Sequence, residues 1–534
     1  MKRYFLFLPI LFLFITTYGV SNEKIQSTLD QYYTALSLTG VIERPFLQYK
    51  SFSTNTWTLS QGDHPWQDQN IQSSPLYKSE EYSLFLETPQ WFQSYNLNSP
   101  HGINDGGLWQ GKGYNSSYSG GLSLLSEFVD LTIYPEFYFS QNQDFVLQEL
   151  TWSGSEYAYP YSGIDAPQRF GNSSFMDFSW GQSQIRFKYN GWSLGIGNEN
   201  VWIGHGSTSA HTLSNNADGF PHVDVGVSKA DTSWGDVEFK MWWGALKSSD
   251  YNVNVDPDTY SDFLSGVHLA WSPFFFPGLT MGINKTSQVS FEEFSMFSLI
   301  AAVDPGVIQD YSGGVLNGSD NADGRASITW NWLFDSVGFE FYGEWTTEDY
   351  VPSLDHLLVR PNHASGYILG LRQHIPITDY NDRFFIFNAE FSSLMWSRDY
   401  YLNGLGWGGG FYRHSMTNLG YSNSGQFLGT GYGPGGDNQH LQLDYYAPFG
   451  KAGIYADRTR YNDTKLYSAS NILSNNEDWG VPVQWSVGLD GYYFLTHHFS
   501  LGGDMAYIFD RNFQTYKNLD YQGIYIAIFV EYRF

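Results

Sequence analysis

Much of the sequence alternates between apolar and polar residues. At the C-terminus, Ile524, Ile526, Ile528, Val530, Tyr532 and Phe534 fall on one side of a two-residue period, and Tyr525, Ala527, Phe529, Glu531 and Arg533 on the other. Val337, Phe339, Phe341 and Trp345 oppose Glu340, Tyr342 and Glu344. Val237, Phe239, Met241 and Trp243 oppose Glu238, Lys240 and Trp242. Ile185–Tyr189 and Leu441–Tyr446 repeat the pattern. A period of two places alternate side chains on opposite faces of a sheet. The sequence therefore predicts strands with one apolar and one polar face.

A soluble sandwich would turn the apolar face inward, whereas a membrane barrel turns it toward lipid. Segments of about ten residues match the length of a transmembrane strand. Aromatic residues bunch at segment ends (Tyr134, Tyr138 and Phe139; Trp330 and Trp332; Tyr492, Tyr493 and Phe494), as interfacial girdles require. The chain ends inside a strand on an aromatic residue, which suits a strand that closes a barrel and leaves no edge. The expected fold is all-β: a transmembrane antiparallel β-barrel of about 18 strands, at roughly 25 residues per strand and connection. One helical signal precedes it. Ile25, Leu29, Tyr32, Tyr33, Leu36 and Leu38 recur near a 3.6-residue period, and Gly40 and Pro45 end the run. An irregular polar stretch is expected from there to about Pro75.

The N-terminus adds a compartment. Lys2 and Arg3, an apolar run from Phe5 to Ile15, and Thr17-Tyr18-Gly19 read as a secretory signal peptide. The expected division is 1–19 signal peptide, 20–77 helical and irregular plug, and 78–534 outer-membrane barrel. Composition narrows the chemistry. Lys and Arg number 27 against 54 Asp and Glu, a net charge of −27, which argues against nucleic acid as a partner. The absence of cysteine excludes disulfides, thiolate metal sites and cysteine nucleophiles.

The densest polar and aromatic stretch runs from Asn198 to His222. Flat rings that stack on a pyranose, beside short amides and carboxylates, suit sugar binding. The same stretch also reads as a loop folded into the lumen and satisfying its own backbone. Gln168-Arg169-Phe170-Gly171, Asp177-Phe178-Ser179-Trp180-Gly181-Gln182, Glu199-Asn200-Val201-Trp202 and Ser214-Asn215-Asn216-Ala217-Asp218-Gly219-Phe220-Pro221-His222 resemble the signature region of the capsule-assembly Wzi family of outer-membrane β-barrel lectins. Tyr342-Gly343-Glu344-Trp345 with Glu348-Asp349-Tyr350, and Gly425-Gln426 with Gly433-Pro434-Gly435-Gly436-Asp437, resemble later blocks of that family. The chain departs from the family pattern at Ile203, where tryptophan is expected, and at His205, where proline is expected. It holds one N-terminal helix where the family usually has several. The resemblance implies an 18-stranded barrel that binds capsular polysaccharide at the cell surface without catalysis. It implies Glu199, Asn200, Trp202, Asn215, Asn216, His222, Glu344, Trp345 and Asp437 as polysaccharide-binding residues. The expected partners are surface polysaccharide and outer-membrane lipid, with the protein a monomer that needs no cofactor or metal.

Two other classes fit parts of the sequence. The single helix motivates a channel for oligosaccharides or other solutes. A barrel hydrolase is raised by His205, Ser207, Ser209 and His211 near Asp218 and Asp224, yet nothing in their spacing supplies a base oriented by a third group. Glu340 and Glu344 lie about 13 Å apart along a strand, too far for a retaining glycosidase pair. Asp256-Pro257-Asp258 and Asp320-Asn321-Ala322-Asp323-Gly324 lack the ligand spacing of a calcium loop. An anionic polymer would need Arg169, Arg186, Arg372, Arg458 or Arg460 gathered in a basic patch, or bridging cations.

Overall fold

The computed structural model describes residues 27–53, 57, 64–69, 71, 74–150, 154–160, 163–252, 255–303, 322–348, 365–395, 411–414, 417–461 and 480–534. The signal-peptide assignment, Ile25 of the helical signal and the pairs Asp320-Asn321 and Asp349-Tyr350 lie outside these residues.

Eighteen antiparallel strands close into one barrel. In chain order they are β1 (Tyr82–Asn96), β2 (Gly113–Ser126), β3 (Val129–Ile133 with Glu136–Ser140), β4 (Phe175–Ser179 with Gln184–Tyr189), β5 (Trp192–Gly197) and β6 (His222–Thr232). Then come β7 (Gly235–Lys247), β8 (Tyr260–Pro273), β9 (Leu279–Ser290), β10 (Asp323–Phe334), β11 (Phe339–Glu348) and β12 (Ser365–Ile377). The last six are β13 (Tyr380–Ser393), β14 (Asp437–Ala447), β15 (Gly450–Arg460), β16 (Val483–Phe494), β17 (Phe499–Arg511) and β18 (Tyr521–Tyr532). β18 closes on β1 in the register Tyr525↔Asn96 through Glu531↔Gln90. The terminal strand thus has no free edge.

The exposure of alternate residues settles which face meets lipid. On β18, Ile524, Ile526 and Ile528 are exposed at 43–46%, while Tyr525 and Ala527 are buried. On β7, Glu238, Lys240 and Trp242 point inward and are buried. Leu441, Leu443 and Phe187 are likewise exposed on the outside. The apolar rows therefore form an outer belt, as a membrane barrel requires. Val337 departs from its expected strand: Asp335–Val337 form a 3-10 turn, which Gly338 leaves with φ +62°. Short turns join strands at one end, where Phe128, Trp192, Trp234 and Phe274 are exposed, and long connections join them at the other. The N- and C-terminal segments lie at the short-turn end, the periplasmic side of such a barrel.

The helix α1 (Thr28–Ser37) lies inside the barrel. Ser27 caps it by accepting from the Asp30 N–H at 3.1 Å, and the chain turns at Gly40 with φ +70°. Leu29, Tyr32, Tyr33 and Leu36 pack with Trp66 against Phe384, Ile386, Tyr446, Tyr492 and Phe494 of the wall. The Tyr32 and Trp66 rings stack at 3.8 Å, and Trp66 Nε1 donates to the Ala447 carbonyl at 2.9 Å. The stretch expected to be irregular contains a short strand, Tyr49–Ser51, paired with Val201–Ile203 inside the lumen. Buried Phe46, Leu47 and Phe52 flank it. The lumen is therefore not simply polar. A second apolar core fills part of it, built from Val201, Leu213, Phe220, Phe411, Tyr412, Leu419, Tyr421 and Phe427 against Trp242, Leu246 and Leu264 of the wall.

Candidate functional site

The polar segment 198–221 leaves the sheet at Gly197 and returns at His222, and these two residues are cross-strand partners. A long connection between neighbouring points must bulge, and here it bulges inward. Its apolar residues Val201, Leu213, Ala217 and Phe220 anchor it in the inner core. A Cβ at Gly219 would collide with the Asn198 carbonyl, so the return of the loop needs glycine. Wall carboxylates hold its backbone. Glu344 accepts from the His211 N–H and from Thr212 and Thr346 hydroxyls, each at 3.0 Å. Glu390 accepts from the N–H groups of Ser207 and Thr208 and from the Tyr342 hydroxyl. Glu238 does the same for Gln48 and Tyr49 at 2.8 Å. The sequence does not distinguish Glu238 or Glu390, since each reads as one more inward polar residue.

The nine sequence-predicted residues divide by environment. Asn200 donates to the Ala217 carbonyl at 2.9 Å and meets the Gln182 amide. Trp202 is buried against Phe52 and Ala210. Asp437 is paired with Arg458 at 2.6 Å and with Arg460 at 3.8 Å. Glu344 holds the inner loop as described. Trp345 follows it in the strand and falls on the outer face, the side of exposed Phe341. Glu199 and His222 approach to 3.9 Å, and Arg186 bridges Glu199 at 3.0 Å to both oxygens of Asp224 at 2.7 Å. Ligand atoms of Glu199, His222 and Asp224 lie within 4.8 Å of one another, but Arg186 and Lys240 already balance the two carboxylates. The cluster behaves as an ion-pair network. Asn215 and Asn216 alone of the nine line the larger cavities.

Those cavities form the candidate site. One, of about 280 Å³, lies among the long connections and is walled by Trp109, Phe145, Tyr159, Gln168, Asn216, Gln426, Phe513 and Arg511. The other, of about 380 Å³, lies deeper, between Phe92, Asn215, Tyr432, Tyr455, Asp457, Asp504 and Tyr525, and reaches Thr28 and Gln31 of α1. His101, Ile103, Gln110, Tyr461 and Gln484 line both, so one crevice descends along the wall from the loops toward the helix. His101 packs edge-on to Tyr525 at 4.9 Å, and burial lowers its pKa to about 4. Rings, amides and carboxylates in a space of this size can stack on sugar faces and pair with hydroxyls. Sequence reasoning missed these residues because they come from at least six separated segments. Only the inward parity of Tyr455 and Tyr525 foreshadows them.

The hydrolase candidates are dispersed. His205 Nε2 meets the Leu47 carbonyl at 2.7 Å, Ser207 donates to Glu390 at 2.9 Å, and Ser209 meets Thr430 at 3.2 Å. His211 Nε2 lies 3.0 Å from Ser392 Oγ, but both groups are buried and the other ring nitrogen of His211 has no hydrogen-bond partner among the described residues. Burial lowers the His211 pKa to about 3. All five arginines of the sought basic patch are paired: Arg169 with Asp144, Arg186 with Asp224, Arg372 with Glu340, and Arg458 and Arg460 with Asp437.

A family model described as capsule assembly protein Wzi matches residues 99–486. Among solved structures the chain is similar to Wzi of Escherichia coli, described as an outer-membrane protein involved in group 1 capsule assembly and a carbohydrate-binding β-barrel. Identity is 13%, over 97% of this chain and 100% of that one, with a TM-score of 0.58, a likeness of fold. OprD of Pseudomonas aeruginosa gives 9% identity over 86% and 96% of the two chains and a TM-score of 0.40. No curated protein matches the chain.

Proposed function

The chain belongs to the capsule assembly protein Wzi family, and from that premise we propose that it binds surface polysaccharide and helps to hold it at the cell surface, without catalysis. The barrel sits in the outer membrane, with its apolar rows in lipid and its long connections outside. The observation that carries the reading is the family match, which spans β2 to β15 and the crevice segments from His101 to Gln484, while Phe92, the 510–515 turn, Tyr525 and α1 lie outside it. The crevice favours it over a channel, because α1 and the inner core occupy the lumen that a porin keeps open to water. The protein acts as a monomer, each barrel binding one stretch of polymer weakly. Many barrels on one chain then give avidity.

The electrostatics favour a neutral or zwitterionic glycan. The five arginines are already paired, and in the deep cavity Asp490 is held by Lys451 at 2.6 Å and Asp457 by His440 at 2.8 Å, so the charged groups there are spent on one another. Among the described residues of the deep cavity a polyanion would find no cluster of unpaired cations. The test is binding of purified protein in detergent to immobilised polysaccharides of graded charge, in cation-free buffer. Retention of neutral polymer, with Tyr461→Ala weakening it about tenfold (~1.4 kcal/mol) and Tyr461→Phe keeping most of it, is expected. Binding that strengthens steadily with polymer charge contradicts the charge assignment, and no binding to any polysaccharide contradicts the function.

A further inference from the structure

On the outer wall of β8 and β9, alternation of burial fails toward the long-connection end. The outward row of β8 runs Trp271, Leu269, Val267, Ser265, Phe263, and that of β9 runs Leu279, Met281, Ile283, Lys285, Ser287, Val289. Leu269 and Ile283 are exposed at 48% and 61%, as lipid-facing residues are. Above them Ser265, Ser287, Phe263 and Val289 are buried, although they point away from the lumen. Ser265 and Ser287 are cross-strand partners, so they form one patch of hydroxyls on the outside of the barrel.

The segment after β9 covers that patch. Two 3-10 turns, Phe291–Glu293 and Met296–Leu299, fold back down the outside. Phe294 and Phe291 pack on Phe263 at 4.9 and 6.2 Å. Trp243 Nε1 of β7 donates to the Leu299 carbonyl at 2.7 Å, and Lys285 Nζ to the Ala301 carbonyl at 3.2 Å. The segment buries Ala302 and turns Met296, Phe297, Ile300 and Val303 outward, exposed at 52–75%.

The heights match a membrane. With strands tilted 35–45°, Leu279 to Ile283 climbs only about 10 Å, whereas the lipid-facing band is about 25 Å tall. On β18 the apolar row from Ile524 to Tyr532 climbs about 20 Å on the same measure. Without the covering segment, β9 would set Lys285 and Ser287 against hydrocarbon, which costs free energy unless the groups are paired. We infer that residues 294–303 are a membrane-seated flap whose outward Met296, Phe297, Ile300 and Val303 lie among acyl chains of the outer leaflet, completing the belt over β7–β9, with the exposed Glu292 and Glu293 above it at headgroup level. The continuity of this face with exposed Ile283 and Leu269 below it identifies lipid as the occupant. The inference rests on the barrel and is independent of what the crevice binds.

The chain has no cysteine, so single thiols can be placed for spin labelling in the full-length protein in proteoliposomes. Met296→Cys and Ile300→Cys are compared with Ile526→Cys on the lipid face and Lys517→Cys on an exposed loop. Nitroxides at 296 and 300 are expected to collide with oxygen in preference to a water-soluble nickel chelate, with the ratio seen at 526. A ratio equal to that at 517 overturns the inference. Low accessibility to both reagents, with spin–spin broadening between labelled copies, also overturns it and assigns the face to a second copy of the chain.

Discussion

Arg325 is fully buried inside the barrel between Asp323 and Glu348, with its guanidinium 3.9 Å from the centre of the Tyr421 ring. Glu348 in turn accepts from the Tyr412 N–H at 2.9 Å, so the arginine fastens Tyr412 and Tyr421 to β10 and β11. Arg325→Met leaves two carboxylates uncompensated and is expected to cost ~3–5 kcal/mol, read as a lower temperature for loss of the folded band in heat-modifiability gels. An unchanged midpoint contradicts this. Asp218 supplies a pH dependence. Burial raises its pKa from 3.8 to about 7, against the Ser179 hydroxyl that donates to it at 2.6 Å. The folded state therefore holds this proton more tightly than the unfolded chain. Its contribution to stability is complete below about pH 4 and is lost as pH rises through about 7. His101 has the opposite sign: with a folded pKa near 4 against 6.5, its contribution is present above 6.5 and lost as pH falls toward 4. Proteolytic nicking of the 198–221 segment in detergent, corrected for the protease's own pH profile, is expected to be faster at pH 8 than at pH 6. Asp218→Asn is expected to flatten that difference, and identical profiles for the two proteins contradict the assignment.

At the scale of elements, α1 is the floor of the crevice. Thr28 and Gln31 line the deep cavity, Lys451 of β15 donates to Gln31 at 2.7 Å, and Lys50 pairs with Asp30. The intact protein is expected to be silent in planar bilayers, and removal of residues 27–40 to produce conductance steps by opening the deep cavity to the periplasm. Large steady currents from the intact protein contradict this arrangement. The strands were legible because a half-buried sheet writes its two faces into alternate residues, and α1 because its apolar face repeats at 3.6. The opposite placement of Glu344 and Trp345 was legible too, since neighbours on a strand face opposite ways. The inward course of 198–221 was not. Asparagines that cross-link a buried loop to Asn104, Ala217 and Phe427 use the same letters as asparagines that bind sugar. Nor does local sequence tell a connection that enters the lumen from one that leaves it, because Phe411, Tyr421 and Phe427, which share a core with Leu213 and Phe220, lie some two hundred residues away.

The whole molecule joins a belt that fixes the barrel in lipid, a lumen packed by α1 and several inward segments, and a crevice that opens among the long connections. Such a body is expected to retain polymer and to pass no large solute. Its role is therefore visible in where polysaccharide ends up. The most direct measurement is the ratio of cell-attached to released polysaccharide in cells lacking the protein. Total polysaccharide is expected to stay constant while the attached fraction falls and the released fraction rises, with attachment restored by the wild-type chain and only partly by Tyr461→Ala. An unchanged attached fraction, or a fall in total polysaccharide without release, contradicts it.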